Sequence, residues 1–239
     1  MNYMRESRNP FSLPVEIKFL EAKKYGLQCP VAAGVELFVG GKIGCTTNSS
    51  LAFGYSFESF ILFAQSLGLG TVWLGGTMNR SAFEAAMELK DNELMPCASP
   101  IGYAADKMSL REAMMRKAIK ADERFPFEVL FFRDSFSTPL THESAAELAL
   151  PFEMVRLAPS AVNKQPWRIV VCDKSVHFYL KRSKGFSYSE KLDMQTIDMG
   201  IALCHFDLSL RECGIECRFL QRNPQLSQDM EYIGTFELE

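Results

Sequence analysis

Apolar positions recur at helical spacing in two long stretches of this chain. Between Gly54 and Leu67, the residues Phe57, Phe60, Ile61, Ala64 and Leu67 fall on one face at i, i+3, i+4, i+7 intervals. Leu62 and Phe63 lie off that stripe. The segment is therefore expected to be a helix buried nearly all round, closed by Gly68 in the left-handed conformation. Asp198–Cys213 reads as a second helix of the same kind. Gly54–Leu69 can be laid over Gly200–Ile215 without a gap, and a short strand follows each, Val72–Leu74 and Arg218–Leu220. This self-similarity points to a duplicated architecture, although two buried helices of one fold would also look alike.

The remaining elements follow from shorter patterns. Residues 1–14, with Pro10 and Pro14, read as an irregular lead-in. Val15–Leu20 is a strand and Glu21–Tyr25 a short helix stopped by Gly26. Val35–Val39 is a strand ended by Gly40-Gly41, and Asn48-Ser49-Ser50 a helix start. Ser81–Leu89 and Leu110–Lys120 read as helices. Cys97–Tyr103 is a strand interrupted by Pro100, and Arg124-Phe125-Pro126 breaks the chain before Val129–Phe132. Glu143–Leu157 is helical, with Pro151 expected to kink it or to begin a second segment. Ile169–Cys172 and Val176–Leu180 form a hairpin, and Glu216–Leu220 is a further strand. The Ser/Thr/Pro-containing run Asp134–Thr141 is the expected boundary between halves 1–133 and 134–239.

Composition narrows the class. The chain has 239 residues, 47% of them hydrophobic, and nineteen Phe, so an aromatic core is expected. A net charge of −3 gives no electrostatic basis for binding nucleic acid or an anionic membrane. The seven Cys are odd in number, without CxxC spacing and without a completed tetrahedral set near Cys213 and Cys217. Reduced, mostly buried thiols in a cytoplasmic protein are the expectation, with no metal. The charged N-terminus has no apolar signal region, and no uncharged apolar run is long enough to span a membrane. His142, His177 and His205 have no carboxylate or Cys at useful spacing, and His205 reads as a buried, hydrogen-bonded core residue. No nucleophile–base arrangement can be assembled.

Two stretches carry chemistry. In Ala158–Trp167, Pro159 and Pro166 forbid a continuing helix and hold a turn between them. Ser160, Asn163 and Gln165 there donate and accept hydrogen bonds without carrying charge, which suits the edge of a flat heteroaromatic ligand. A helix-to-strand connection with a core Trp167 has the same residue types. In Gly68–Gly76, two glycine pairs flank Thr71–Leu74, and Gly75 and Gly76, lacking Cβ, would let a ring lie directly on the backbone. A helix cap and a tight turn would need no ligand. Arg124, in Arg124-Phe125-Pro126, is a candidate phosphate fork, with Arg116 and Lys117 as alternatives.

The run APSAVNKQPW resembles the Ala-Pro-Ser-x-x-Asn-x-Gln-Pro-Trp signature of the FMN-dependent nitroreductase family, and GLGTVWLGG resembles its Gly-Leu-Gly-x-x-Trp-x-Gly-Gly stretch. The order of the two is that of the single-chain TM nitroreductase branch. The resemblance covers about Lys24 to Phe219. It implies an α+β, three-layer α/β/α fold as an internally duplicated pseudo-dimer, with FMN between its halves. It further implies an NAD(P)H oxidoreductase that reduces nitroaromatics, quinones or similar small acceptors by hydride transfer through flavin N5, with NADH or NADPH as donor. No side chain is then required as a catalytic acid or base. The cofactor-binding residues would be Pro159, Ser160, Asn163, Gln165, Trp73, Leu74, Gly75, Gly76 and Arg124, with Asn163 on the pyrimidine edge, Gln165 and Trp167 holding the loop, and Arg124 on the phosphate. A monomer with an intrachain pseudo-dimer, or a homodimer, is expected. The family opens with Arg-Arg-Ser-x-Arg, where this chain has Arg5-Glu6-Ser7-Arg8. The chain is thus expected to begin inside the family pattern, and a scaffold with weak or no flavin binding is the alternative.

Overall fold

The computed structural model describes residues 9–29, 31, 34–105, 107–184, 187–189 and 192–239. The opening Arg5–Arg8 lies outside them. The chain divides into two compact units, residues 1–121 with 188–192, and residues 122–187 with 193–239.

In the first unit, β1 (Val15–Glu21) runs into the single turn α1 (Ala22–Tyr25). Gly26 at φ +63° closes that turn, as only a residue at ease in the left-handed region can do cheaply. There follow β2 (Leu37–Gly44), α2 (Ser49–Ser66), β3 (Gly70–Thr71), α3 (Arg80–Ala86), β4 (Glu93–Leu94), β5 (Ala98–Gly102) and α4 (Leu110–Ala118). The sheet order is β1-β2-β5-β3, with every pair antiparallel and β4 paired to β2.

The strand expected to end at Gly40-Gly41 passes straight through them. A Cβ on Gly40 would lie 2.8 Å from Met87 Sδ, and one on Gly41 2.8 Å from the Phe53 ring. The two glycines thus admit close packing on opposite faces of one strand, because successive side chains alternate. Phe38 meets Phe83 on the Gly40 face, with Leu20 and Met87 in the same core. On the other face, Phe53 and Phe57 of α2 pack over Gly41.

In the second unit, the turn α5 (Phe127–Leu130) leads into β6 (Phe131–Arg133). Then come α6 (Ala149–Leu157), β7 (Trp167–Cys172), β8 (Ser175–Leu180), the two-stranded ribbon β9 (Ser187–Ser189) and β10 (Leu192–Asp193), of which residues 188–192 are assigned to the first unit, α7 (Met194–Glu212), β11 (Cys217–Leu220) and β12 (Glu231–Leu238). The sheet order is β11-β12-β8-β7-β6, antiparallel except for β6 with β7. The expected changeover at 133/134 does not coincide with this division, because Phe131 pairs with Ile169 and so ties β6 to the second sheet. Of the two expectations for Pro151, the second holds: it lies in the first turn of a new segment, α6, where its missing N–H has no intrahelical partner to lose. The helix expected from Asp198 starts a turn earlier at Met194, because Asp193 Oδ1 accepts the Gln195 and Thr196 amides as an N-cap. Strand β12 lies inside the sheet, between β11 and β8, and had no expected counterpart; a bulge at Tyr232/Gly234 breaks its alternation. The core is a chain of rings, Phe131, Phe152, Phe206, Phe178 and Phe236, each in contact with the next or with Phe206.

Within each unit the winding is the same. A hairpin (β1-β2 or β7-β8) leads to a long helix (α2 or α7), an edge strand (β3 or β11) and a strand that inserts between edge and hairpin (β5 or β12). Both helices end alike: Gly68 at φ +76° and Gly214 at φ +70°, with Leu69 N–H donating to Ala64 C=O and Ile215 N–H to Leu210 C=O.

Candidate functional site

The loop between α6 and β7 has a strongly constrained backbone. Three of its non-glycine residues, Val162, Asn163 and Gln165, have φ of +50°, +53° and +46°. For β-branched Val162 this is a genuine steric outlier, and it persists only because the surroundings over-determine it. Those surroundings are polar. Ser160 C=O accepts from Asn163 N–H at 2.9 Å, and Ser160 Oγ accepts from Gln165 N–H at 2.9 Å. Gln165 is buried; its Oε1 accepts from Phe125 N–H at 2.8 Å and its Nε2 donates to Asn163 Oδ1 at 3.3 Å. Asn163 Nδ2 donates to Glu123 C=O at 2.8 Å. Arg124 forks onto Leu157 C=O through Nε (3.3 Å) and Nη2 (3.0 Å), and Nη1 reaches Glu123 C=O at 2.9 Å and Asn163 Oδ1 at 3.4 Å.

Four of the residues expected at the site, Ser160, Asn163, Gln165 and Arg124, lie in one hydrogen-bonded cluster, in which Gln165 spans from Phe125 to Asn163. Arg124, expected at a phosphate, is engaged by main-chain carbonyls and braces the loop. Trp167, the first residue of β7, is fully buried with no partner for its Nε1.

Three residues of this cluster were not singled out beforehand. Asp198 of α7 is buried, and its Oδ1 accepts from Ala161 N–H at 2.9 Å while its Oδ2 has no partner. Burial pushes its carboxyl well above the ordinary carboxylate range, with the nearby Asp193 charge adding to that against the Ala161 hydrogen bond. A lone acid inside the apolar run Ile197–Leu203 was the signal that could have marked it. Arg168 Nη1 donates to Gln165 C=O (3.1 Å) and Trp167 C=O (2.6 Å), closing the far end of the loop. Glu123 serves through its carbonyl, a contact no side-chain motif encodes.

In the first unit, the turn Trp73–Gly76 follows β3. Leu74 is buried and exchanges both hydrogen bonds with Ala98. Gly75 C=O accepts from Arg80 Nη2 at 2.7 Å. Trp73 stands half-buried against Phe53 and Phe57, and its Nε1 donates to the buried Glu58 of α2 at 2.8 Å. Glu58, like Asp198, was missed by sequence reading.

Elsewhere, the buried, hydrogen-bonded histidine is His177, whose Nδ1 lies 2.8 Å from Thr235 Oγ1; His205, expected in that role, is half-buried. Among the described residues no three His, Cys, Asp or Glu gather as a metal set, and no helix is long and apolar enough to cross a membrane. The seven cysteines are unpaired as disulfides; Cys97 and Cys204 are buried, while Cys45 and Cys213 are exposed. What the cluster offers is rigid, mostly neutral hydrogen-bonding groups around a strained turn. Such groups are of the kind that hold and orient a ligand.

The fold and this loop define an α+β protein of the nitroreductase class, built from two units of like winding. More narrowly, the chain belongs to the family described as "Putative TM nitroreductase", which it matches over residues 6–210. Two solved structures share its fold, each described as a "putative nitroreductase". One, from Thermotoga maritima, is 19% identical with a TM-score of 0.58, covering 99% of this chain and 81% of the other. One from Anabaena variabilis is 9% identical with a TM-score of 0.51, covering 88% and 70%. No curated protein sequence matches the chain.

Proposed function

We propose that the protein is an FMN-dependent NAD(P)H oxidoreductase that reduces nitroaromatic, quinone or similar small acceptors. The observation that carries this reading is membership of the family over residues 6–210, a span that contains both motif stretches. The Ser160–Gln165 loop fits the pyrimidine edge of a flavin by the chemistry of its donor set: uncharged, rigid and able both to donate and to accept. When bound, FMN supplies the two-electron redox chemistry.

The protein's part is binding and orientation. Asn163 Oδ1 holds its present partners at 3.3 and 3.4 Å, the long end of the hydrogen-bond range, so exchanging them for a ligand N–H at ordinary distance costs little. Ser160 and the Pro159 backbone are proposed to contact the ring or ribityl chain. Gln165, Arg168 and Arg124 keep the loop in its left-handed form before any ligand arrives, so the ordering entropy is already met on folding. In the first unit, Trp73–Gly76 is the second proposed flavin-contacting segment. Glu58 would set the Trp73 ring orientation.

The engagement of Arg124 by carbonyls favours one other reading, a nitroreductase scaffold with weak or no flavin affinity. Purification and a visible spectrum decide between them. A yellow protein that releases FMN on heating, and that oxidises NADH or NADPH with menadione or nitrofurazone, is expected. A colourless protein that takes up no added FMN overturns the oxidoreductase reading.

A further inference from the structure

The second long helix places one carboxyl inside the protein, against the backbone of the strained loop. Asp198 is 2% exposed, its Oδ1 receives the Ala161 amide at 2.9 Å, and its Oδ2 has no partner. Ala161 opens the single 3-10 turn Ala161–Asn163, the turn that contains two of the left-handed residues. We propose that Asp198 is the positioning residue of the flavin loop, fixing the Ala161 amide and so setting where Ser160 and Asn163 present their polar groups. This rests on the reading of that loop as flavin-binding.

The argument is one of burial against benefit. A buried carboxyl with one orphaned oxygen is expensive, and a helix core of Ile197, Met199, Ile201 and Leu203 has no packing need for it. The hydrogen bond it makes is to a loop main-chain amide, which no apolar residue could replace. Ser160 and Gln165 tie the loop to itself and to Phe125, Asn163 ties it to Glu123, and Asp198 ties its first turn to α7.

The protonation state follows from the surroundings. The charged group that bears on Asp198 is Asp193, which repels a second negative charge although Arg182 binds it at 2.7 Å. On α6 the charges Glu153 and Arg156 bind each other, and on β8 His177 sits with Thr235. Burial therefore keeps Asp198 the neutral acid toward higher pH than an ordinary carboxyl. Its contribution to folding stability is fully present in acid and is lost as pH rises through the raised value, whereas the Ala161 hydrogen bond itself favours the ionised acceptor, so the loop's response to pH runs through Asp198.

The test compares wild type with Asp198→Asn, Asp198→Leu and Ala161→Pro. Asn keeps a neutral acceptor for the Ala161 amide. Leu removes the acceptor. Proline at 161 removes the donor instead, at the first position of a turn and after the extended Ser160 (φ −148°), where proline is tolerated. Two readouts are taken: FMN affinity by fluorescence titration from pH 5 to 9, and hydrogen exchange of the Asn163 and Gln165 amides in the flavin-free protein. Expected are about tenfold weaker FMN binding and faster exchange in Asp198→Leu and Ala161→Pro. Asp198→Asn should keep both near wild type and flatten the pH profile. If Asp198→Leu fails to fold, Ala161→Pro carries the comparison. Exchange and affinity unchanged in either variant, or a pH profile unchanged in Asp198→Asn, overturn the proposal. If wild type takes up no FMN, the flavin reading falls separately, while the exchange data still support or overturn Asp198 as the loop's anchor.

Discussion

Asn163 is where backbone and chemistry meet in one residue. At φ +53° it occupies the region that asparagine and glycine enter most readily. Asn163→Gly keeps that backbone and removes the side chain. It is expected to weaken FMN retention about tenfold while leaving the melting temperature within a few degrees. Asn163→Ala removes the same groups and adds a left-handed penalty of about 1–2 kcal/mol, so its melting temperature should fall further. Fluorescence titration and thermal melts on the pair separate ligand contact from backbone strain. The sequence made the residue types of this loop legible, because two prolines bracket neutral polar groups. It did not reveal that both ends of the Asn163 amide already have protein partners, since Glu123 and Arg124 are remote in the chain and contribute partly through main-chain atoms.

At the scale of elements, β2 shows how a local rule gives way to packing. A glycine pair ordinarily marks the end of a strand. Here the pair is the crossing point of two packed layers, with Met87 on one face and Phe53 and Phe57 on the other. Gly41→Ala forces a methyl group to within 2.8 Å of the Phe53 ring and 3.0 Å of Phe57. Both rings are fully buried, so a loss of about 1–3 kcal/mol is expected in urea unfolding. Elements whose cause is local were legible: both long helices with their glycine caps, the β7-β8 hairpin and the turn at Gly26. Strand β12 was not, because its bulge hides the alternation and its place between β11 and β8 depends on a partner some fifty residues upstream.

For the whole molecule, the buried titratable groups set the response to pH. Burial lowers the pKa of His177 below its ordinary 6.5, outweighing the attraction of Glu237. A group depressed in the folded state binds more protons when unfolded, so its contribution is present above about 6.5 and is lost as pH falls. Glu153, bound by Arg156, is likewise lowered, and Asp193 is lowered because Arg182 and Thr196 outweigh its burial. Those contributions are present above the ordinary carboxylate range and are lost on further acidification. Asp198 runs the other way, raised by burial and so destabilising once ionised. The urea midpoint is expected to fall between pH 7 and pH 4, with a limb below the ordinary histidine range that His177→Gln removes. Asp198→Asn should raise stability at pH 7 relative to pH 4. A wild-type midpoint that rises on acidification would contradict this assignment.

The two units with like winding are consistent with the duplication expected from the helices, and we take the shared order of hairpin, helix, edge strand and inserted strand as the stronger sign of it. The sequence by itself determined the helices and their caps, the hairpin, the two motif stretches and the family, because periodicity, glycine and proline act within a turn or a strand of where they stand. Only the tertiary structure decided that β2 runs through its glycines, that Arg124 braces a loop, and that Asp198 reaches the Ala161 amide. Those outcomes depend on which distant groups the sheet order and burial bring within hydrogen-bonding distance, and no local pattern carries that information.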